Sequence, residues 1–277
     1  MSARVILGNN LDVLPTLPSS SFDCVITDPP YPEIGRSYGK WTEAQWFELM
    51  KPCFLECKRL VKPTGSAMFV LQPNSRKVGS MRLWLWEFLL WAAKEWNLIQ
   101  DCYWWNFTVA PMVHSQRKYG LLRPSVKYCL WFGAADCYRN QSEVLWTASD
   151  ATLAKTASDR ALKYMPCGMS LRTGRIIATA KERGGSTPFN LIPLANANSS
   201  TSAGAHGHGA GTPERLADWW TRYLCPAGGS VLDPFAGVGS CGLPAVASGR
   251  SYLGIEIDPS YCATANERLA KKNLATG

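Results

Sequence analysis

The stretch Leu232-Asp233-Pro234-Phe235-Ala236-Gly237-Val238-Gly239-Ser240, followed shortly by Gly254-Ile255-Glu256-Ile257-Asp258, decides the fold. Val231-Leu232-Asp233 reads as the end of a buried strand. Gly237-Val238-Gly239-Ser240-Cys241-Gly242 is a G-x-G-x-x-G sequence that opens a helix over Leu243 to Ala247. Glycines there let the backbone approach a ligand closely. Gly249-Arg250 turns the chain into another strand that ends at Glu256. That acid stands 19 residues after Gly237, a spacing that sets a carboxylate over a ribose.

Two features argue against a dinucleotide. A dinucleotide domain needs further strand–helix units of about 30 residues each after the acid, and only 21 residues follow Glu256. These suffice for one helix, Tyr261 to Lys272. Asp233 also precedes the glycines, where its charge would repel a pyrophosphate and attract an ammonium. S-adenosylmethionine has a ribose, an ammonium and no phosphate, so it fits both acids. Because the last helix has no strand after it, its successor is the strand at Val5–Gly8, at the other end of the chain. The sheet is therefore expected to be circularly permuted.

The front of the chain supplies a second motif, Thr27-Asp28-Pro29-Pro30-Tyr31, after the strand-like Phe22–Thr27. Parallel sheets bind ligands at the carboxyl ends of their strands. Prolines offer carbonyls without N–H donors, so Asp28 and a proline carbonyl can accept both hydrogens of an amino group. Tyr31 offers an aromatic face to a base taken out of its stack. A plain Pro-Pro turn would explain Pro29 and Pro30 but not the flanking Asp28 and Tyr31. Ser66–Gln72 and Val126–Phe132 read as further strands. Helical patterns run over Glu43–Leu60 and Ser80–Trp96, and Thr212 reads as the cap of a helix over Glu214–Tyr223. Alternating strands and helices imply a mostly parallel sheet covered on both faces. The tryptophans Trp84, Trp86, Trp91 and Trp96 read as core or interface.

The net charge of +8 invites a polyanion. Residues 115–190 carry twelve Lys and Arg against five acids, so nearly all of the excess lies in one segment. Arg172, Arg175, Lys181 and Arg183 there, with Arg36 and Lys40 after Tyr31, are the candidate phosphate contacts; Arg36 and Lys40 are read equally well as solvated. Ten cysteines without a C-x-x-C read as buried thiols in a reducing cytosol. His206 and His208 lie in the low-complexity run 195–212 without further ligands, so no metal is expected. The strand-like Arg4-Val5-Ile6-Leu7-Gly8 at the start reads as the absence of a signal peptide, and no segment reads as a membrane span. The location is expected to be cytoplasmic.

Taken together, the two motifs make the chain resemble the beta-class amino-methyltransferases of DNA, which make N6-methyladenine or N4-methylcytosine. The resemblance implies a circularly permuted Rossmann-like α/β methyltransferase sheet with an inserted basic target-recognition region. Its divisions are a catalytic half over 1–133, recognition over 134–194, a flexible linker over 195–212 and a cofactor half over 213–277. Asp28, Pro29, Pro30 and Tyr31 match the family's catalytic motif, in the D-P-P-Y form usual for adenine; cytosine-N4 members usually carry Ser or Thr first. Asn9, Asp28, Asp233, Phe235, Ala236, Gly237, Gly239, Ser240, Glu256 and Ile257 fall on its cofactor-binding positions. Asn9 stands where the family usually has Asp, and Thr212-Pro213 where it tends to have Lys-Pro. The implied activity is adenine-N6 methylation of double-stranded DNA with S-adenosylmethionine, by a homodimer, with or without a partner restriction endonuclease. Cytosine-N4 or RNA-base methylation, and a DNA-binding regulator that kept the fold without turnover, are the competing readings.

Overall fold

The computed structural model describes residues 2–35, 39–109, 118–146, 163–164, 170–171, 182–196 and 212–276. The chain divides into two compact units, Met1–Arg139 with Asn190–Gly277, and Asn140–Phe189.

The larger unit is built on eight strands. They are β1 (Ala3–Leu7), β2 (Phe22–Thr27), β3 (Val61–Leu71), β6 (Leu98–Trp105), β7 (Val126–Gly133), β10 (Leu191–Pro193), β11 (Ser230–Asp233) and β12 (Ser251–Glu256). A short hairpin, β4 (Ser75–Lys77) and β5 (Ser80–Met81), precedes the second long helix. The sheet order is β1-β12-β11-β2-β3-β7-β6-β10. Every neighbouring pair is parallel except the two that β7 makes, with β3 and β6.

The helices are α1 (Asn10–Val13), α2 (Glu43–Leu60), α3 (Trp84–Glu95), α4 (Glu214–Leu224), α5 (Gly242–Ala247) and α6 (Pro259–Thr276). Apolar side chains of α1, α2 and α3 close one face of the sheet around Trp46, Phe54, Trp84 and Phe88. Those of α4, α5 and α6 close the other around Leu216, Trp220, Val246 and Leu269. The α3 tryptophans turn inward: Trp84 is fully buried, and Trp91 packs edge-on against Phe54. Thr42 and Gln45 fix the start of α2 with a reciprocal capping box.

The permuted order follows from packing at the two termini. Asn266 of α6 accepts from the Val5 amide at 2.9 Å and donates to the Val5 carbonyl at 2.9 Å. With Cys262 and Leu269 buried on the sheet, the last helix is locked over the first strand.

Several boundaries differ from those read in the sequence. Leu98–Trp105 forms a strand that alternation did not mark, because its first part pairs only with β7 and leaves Gln100 and Asp101 exposed. Leu191–Pro193 pairs with Tyr103–Trp105 as an outer strand. Residues 190–194 therefore belong to the main sheet and not to the basic insertion. Pro213, not Thr212, caps α4, and it offers no side-chain bond. The smaller unit, Asn140–Phe189, has a short helical turn at Gln141–Val144, a bridge between Trp146 and Ser186, and a two-stranded pair, β8 (Lys163–Tyr164) with β9 (Ser170–Leu171). The 197–211 part of the predicted linker lies outside the described residues.

Candidate active site

The strand order reverses between β11 and β2. From β11 the sheet continues through β12 and β1 on one side, and through β2 and β3 on the other. Ligands of open α/β sheets bind beyond the strand carboxyl ends at such a point. Both motifs meet there, because β11 and β2 are direct neighbours, with Val231 opposite Cys24 and Leu232 opposite Val25. A cavity of about 290 Å³ opens at this point. One end is lined by Gly8, Asn9, Pro234 to Val238, Ser240, Glu256 and Ile257; the other by Asp28, Pro29, Pro30, Tyr31, Trp104, Lys127 and Thr212.

At the first end the glycine loop is shaped by its backbone. Gly237 and Gly239 have φ of 52° and 79°, a left-handed conformation that side-chain-bearing residues rarely adopt. The Gly237 amide donates to Glu256 Oε2 and the Asp258 amide to Oε1, each at 2.8 Å. Burial pushes the Glu256 carboxyl up, against these two hydrogen bonds. Asp233 is 1% exposed. Its Oδ1 accepts from the Thr27 hydroxyl at 2.6 Å and the Phe235 amide at 3.1 Å; its Oδ2 accepts from the Tyr252 hydroxyl at 3.3 Å. Burial outweighs these donors and raises its pKa to about 6.

Asp233 thus anchors the loop as well as facing the cavity. Asn9 lines the cavity, but its side-chain oxygen caps α1 by accepting from the Leu11 amide at 3.1 Å, which leaves its amide nitrogen for a ligand. Ile257 is exposed, whereas Ala236 is buried. Ser240 Oγ is buried and has no partner among the described residues. A buried orphan hydroxyl is costly unless a ligand supplies its bond. Together with the two carboxylates and the bent glycine backbone, it fits a ligand with a ribose and an amino-acid head.

At the other end Asp28 is gripped by three donors. The Tyr31 hydroxyl reaches Oδ1 at 2.5 Å. Lys127 Nζ and the Thr212 hydroxyl reach Oδ2 at 3.1 and 2.8 Å. Two carboxylate oxygens offer about four acceptor positions, so about one remains. The two prolines are also distinguished. The Pro30 carbonyl is taken by the Trp46 indole N–H at 2.6 Å, while the Pro29 carbonyl accepts from no described residue. The Tyr31 ring stacks on Trp84 at 6.3 Å and 29°, and Lys127 Nζ lies 5.2 Å from its centroid.

Lys127, Thr212 and Trp104 were not singled out from the sequence as site residues. Lys127 carried a usable signal, as the one charge in the strand Val126-Lys127-Tyr128-Cys129-Leu130-Trp131-Phe132-Gly133.

Of the six expected phosphate contacts, Lys40 and Arg183 lie among the described residues. Lys40 is exposed and paired with Glu33 at 3.0 Å. Arg183 bonds Gln141 at 2.5 Å within the smaller unit. Arg36, Arg172, Arg175 and Lys181 lie outside the described residues. Among the described residues no cluster suits a metal ion, and no helix is long and apolar enough to cross a membrane.

A family model described as "DNA methylase" matches residues 22–267. The type II methyltransferase M.PvuII of Proteus hauseri is 24% identical, aligned over 99% of this chain and 85% of its own length. The DNA adenine methyltransferase YhdJ of Escherichia coli K12 is 24% identical over 96% of this chain and 82% of its own. Among solved structures, the cytosine-N4-specific PvuII DNA methyltransferase superposes with a TM-score of 0.73 at 18% identity, covering 100% of this chain and 93% of that one. A putative DNA modification methylase from Thermus thermophilus, solved with S-adenosyl-L-methionine, gives 0.62 at 20% identity, covering 98% and 96%.

Proposed function

The chain belongs to the DNA methylase family, whose model spans residues 22–267, and on that premise we propose that it methylates the N6 amino group of adenine in double-stranded DNA. The observation that carries this reading is the Asp28–Pro29 pair at the sheet reversal. It offers about one open carboxylate position and one carbonyl without a described donor, on adjacent residues that both line the cavity. Two acceptors so placed bind both hydrogens of an exocyclic amino group. They thereby turn the nitrogen lone pair out of the base plane, toward the glycine-loop end.

S-adenosylmethionine is the cofactor of this reading, and when bound it supplies the electrophilic methyl group. Glu256 would hold its ribose, and Asp233 and Ser240 its amino-acid head. Tyr31 stacks on the extruded base while its hydroxyl keeps Asp28 oriented. The residues act by positioning and by fixed charge. The basic segment over 115–190 supplies the sequence-independent attraction to phosphate. A homodimer is part of the reading, supported by the exposed apolar residues Leu83 and Leu90 at the outer side of α3.

Cytosine N4 is the second reading, favoured by the likeness to the cytosine-N4-specific PvuII enzyme. Asp28 as the first residue of the motif favours adenine. Modified-base sequencing of DNA from cells expressing the protein, beside cells expressing Asp28→Ala, tests the choice. N6-methyladenine at one sequence, absent with the variant, is expected; N4-methylcytosine overturns it.

A further inference from the structure

Lys127 has more hydrogen-bonding capacity than the structure uses. It is the one charged residue of β7 and faces Trp104 across the pairing with β6. Its side chain is 15% exposed, and its Nζ lies 5.0 Å from the Trp104 ring centroid and 5.2 Å from that of Tyr31. Burying an ammonium is costly, so its place calls for a reason. Neutralising Asp28 is one, yet Tyr31 and Thr212 already donate to that carboxylate. An ammonium has three N–H groups. Among the described residues its one hydrogen-bond acceptor is Asp28 Oδ2, at 3.1 Å, and it lines the cavity.

The cavity wall therefore carries a donor with spare capacity beside an acceptor with spare capacity. Adenine and cytosine present the complement: an amino N–H next to a bare ring nitrogen. Guanine and thymine present the opposite, a carbonyl oxygen next to a ring N–H. A site whose polar groups are left unpaired or opposed rejects the wrong partner strongly. We propose that Lys127 reads the target base by donating to the ring nitrogen beside the amino group that Asp28 accepts from. The inference rests on the reading of this site as one for an extruded amino base. The ammonium does not make the amino nitrogen more nucleophilic; its contribution is selection and registration of the base.

The test uses duplexes carrying the mapped recognition site with the target base intact or replaced by its deaza analogue. The analogue is 1-deazaadenine, or 3-deazacytosine if cytosine is the methylated base; each lacks the ring nitrogen but keeps the amino group. The wild type is expected to lose about tenfold or more in kcat/KM on the analogue, the scale of one charge-assisted hydrogen bond. Lys127→Met should be slower on the natural base and show nearly equal rates on the two duplexes; Lys127→Arg should keep the penalty. Comparing the ratio between proteins cancels the intrinsic reactivity of the analogue. A residue that only neutralises Asp28 would change the rates and leave the ratio alone. If Lys127→Met does not fold, Lys127→Gln replaces it and must shrink the penalty. Equal wild-type rates on both duplexes, or an undiminished penalty in the variant, overturn the inference alone. No transfer to either duplex overturns the underlying reading with it.

Discussion

Replacing Asp233 with Asn should make the ligand-free protein more stable at pH 8 and a poorer cofactor binder. Asp233 is 1% exposed, and burial lifts its pKa from 3.8 to about 6 despite donors from Thr27, Phe235 and Tyr252. A raised carboxyl pKa means that the folded chain holds its proton at a higher pH than the unfolded chain does. The contribution to stability is therefore fully present below about pH 4 and is lost as the pH rises through about 6. Two units correspond to about 3 kcal/mol. Asn cannot ionise, and its oxygen can keep the Thr27 and Phe235 bonds. The pKa of about 6 already includes the donors' bonds to the charged form, so a net gain of about 3 kcal/mol is expected at pH 8. Urea unfolding followed by tryptophan fluorescence at pH 4, 6 and 8, without ligand, reads the difference between the two proteins. It should shrink toward zero at pH 4. A wild type that gains on the variant as the pH rises refutes the electrostatic reasoning. The second arm is calorimetry with S-adenosylmethionine, whose affinity should fall about tenfold or more without the carboxylate; an unchanged affinity removes Asp233 from the proposed site.

Further outcomes follow from the same geometry. Glu256→Gln should weaken S-adenosylmethionine binding by about 1.5–3 kcal/mol in calorimetry. Glu256→Ala should also lower the melting temperature, because the Gly237 and Asp258 amides lose their acceptors. Tyr31→Phe keeps the stacking face but releases Asp28 Oδ1, so single-turnover methyl transfer should slow by about tenfold, the scale of about 1.4 kcal/mol, with cofactor affinity unchanged. Removing the charges of Arg172, Arg175, Lys181 and Arg183 together should weaken DNA binding and flatten its dependence on salt concentration. A salt slope equal to the wild type's would place those charges away from DNA.

The two motifs and the strands that carry them were legible because each has its own local cause. Glycines 237 and 239 are required by the backbone they form, and buried apolar runs mark β2, β11 and β12. The order of the motifs, with the glycine loop late in the chain, pointed to the permutation that Asn266 and Val5 now account for. What could not be read is whatever depends on partners distant in sequence. Asp28 and Thr212 are 184 residues apart, and Asp28 and Lys127 are 99 apart, so no local pattern announces that grip. Thr212 reads as a helix cap, yet Pro213 holds that position and the Thr212 hydroxyl donates to Asp28. The Pro30 carbonyl looked as available as that of Pro29 until the Trp46 indole was placed on it. Edge strands such as β10 are short and half-exposed, which leaves too little periodicity to separate them from a loop.

The most direct measurement is the identity of the methylated nucleoside. Duplex DNA containing the mapped site is incubated with the protein and S-adenosylmethionine labelled in its methyl group, digested to nucleosides and resolved by mass and retention. The account predicts label in N6-methyladenosine's deoxy form alone, and none when Asp28→Ala replaces the wild type. Label in N4-methyldeoxycytidine, or undiminished transfer by Asp28→Ala, would contradict it.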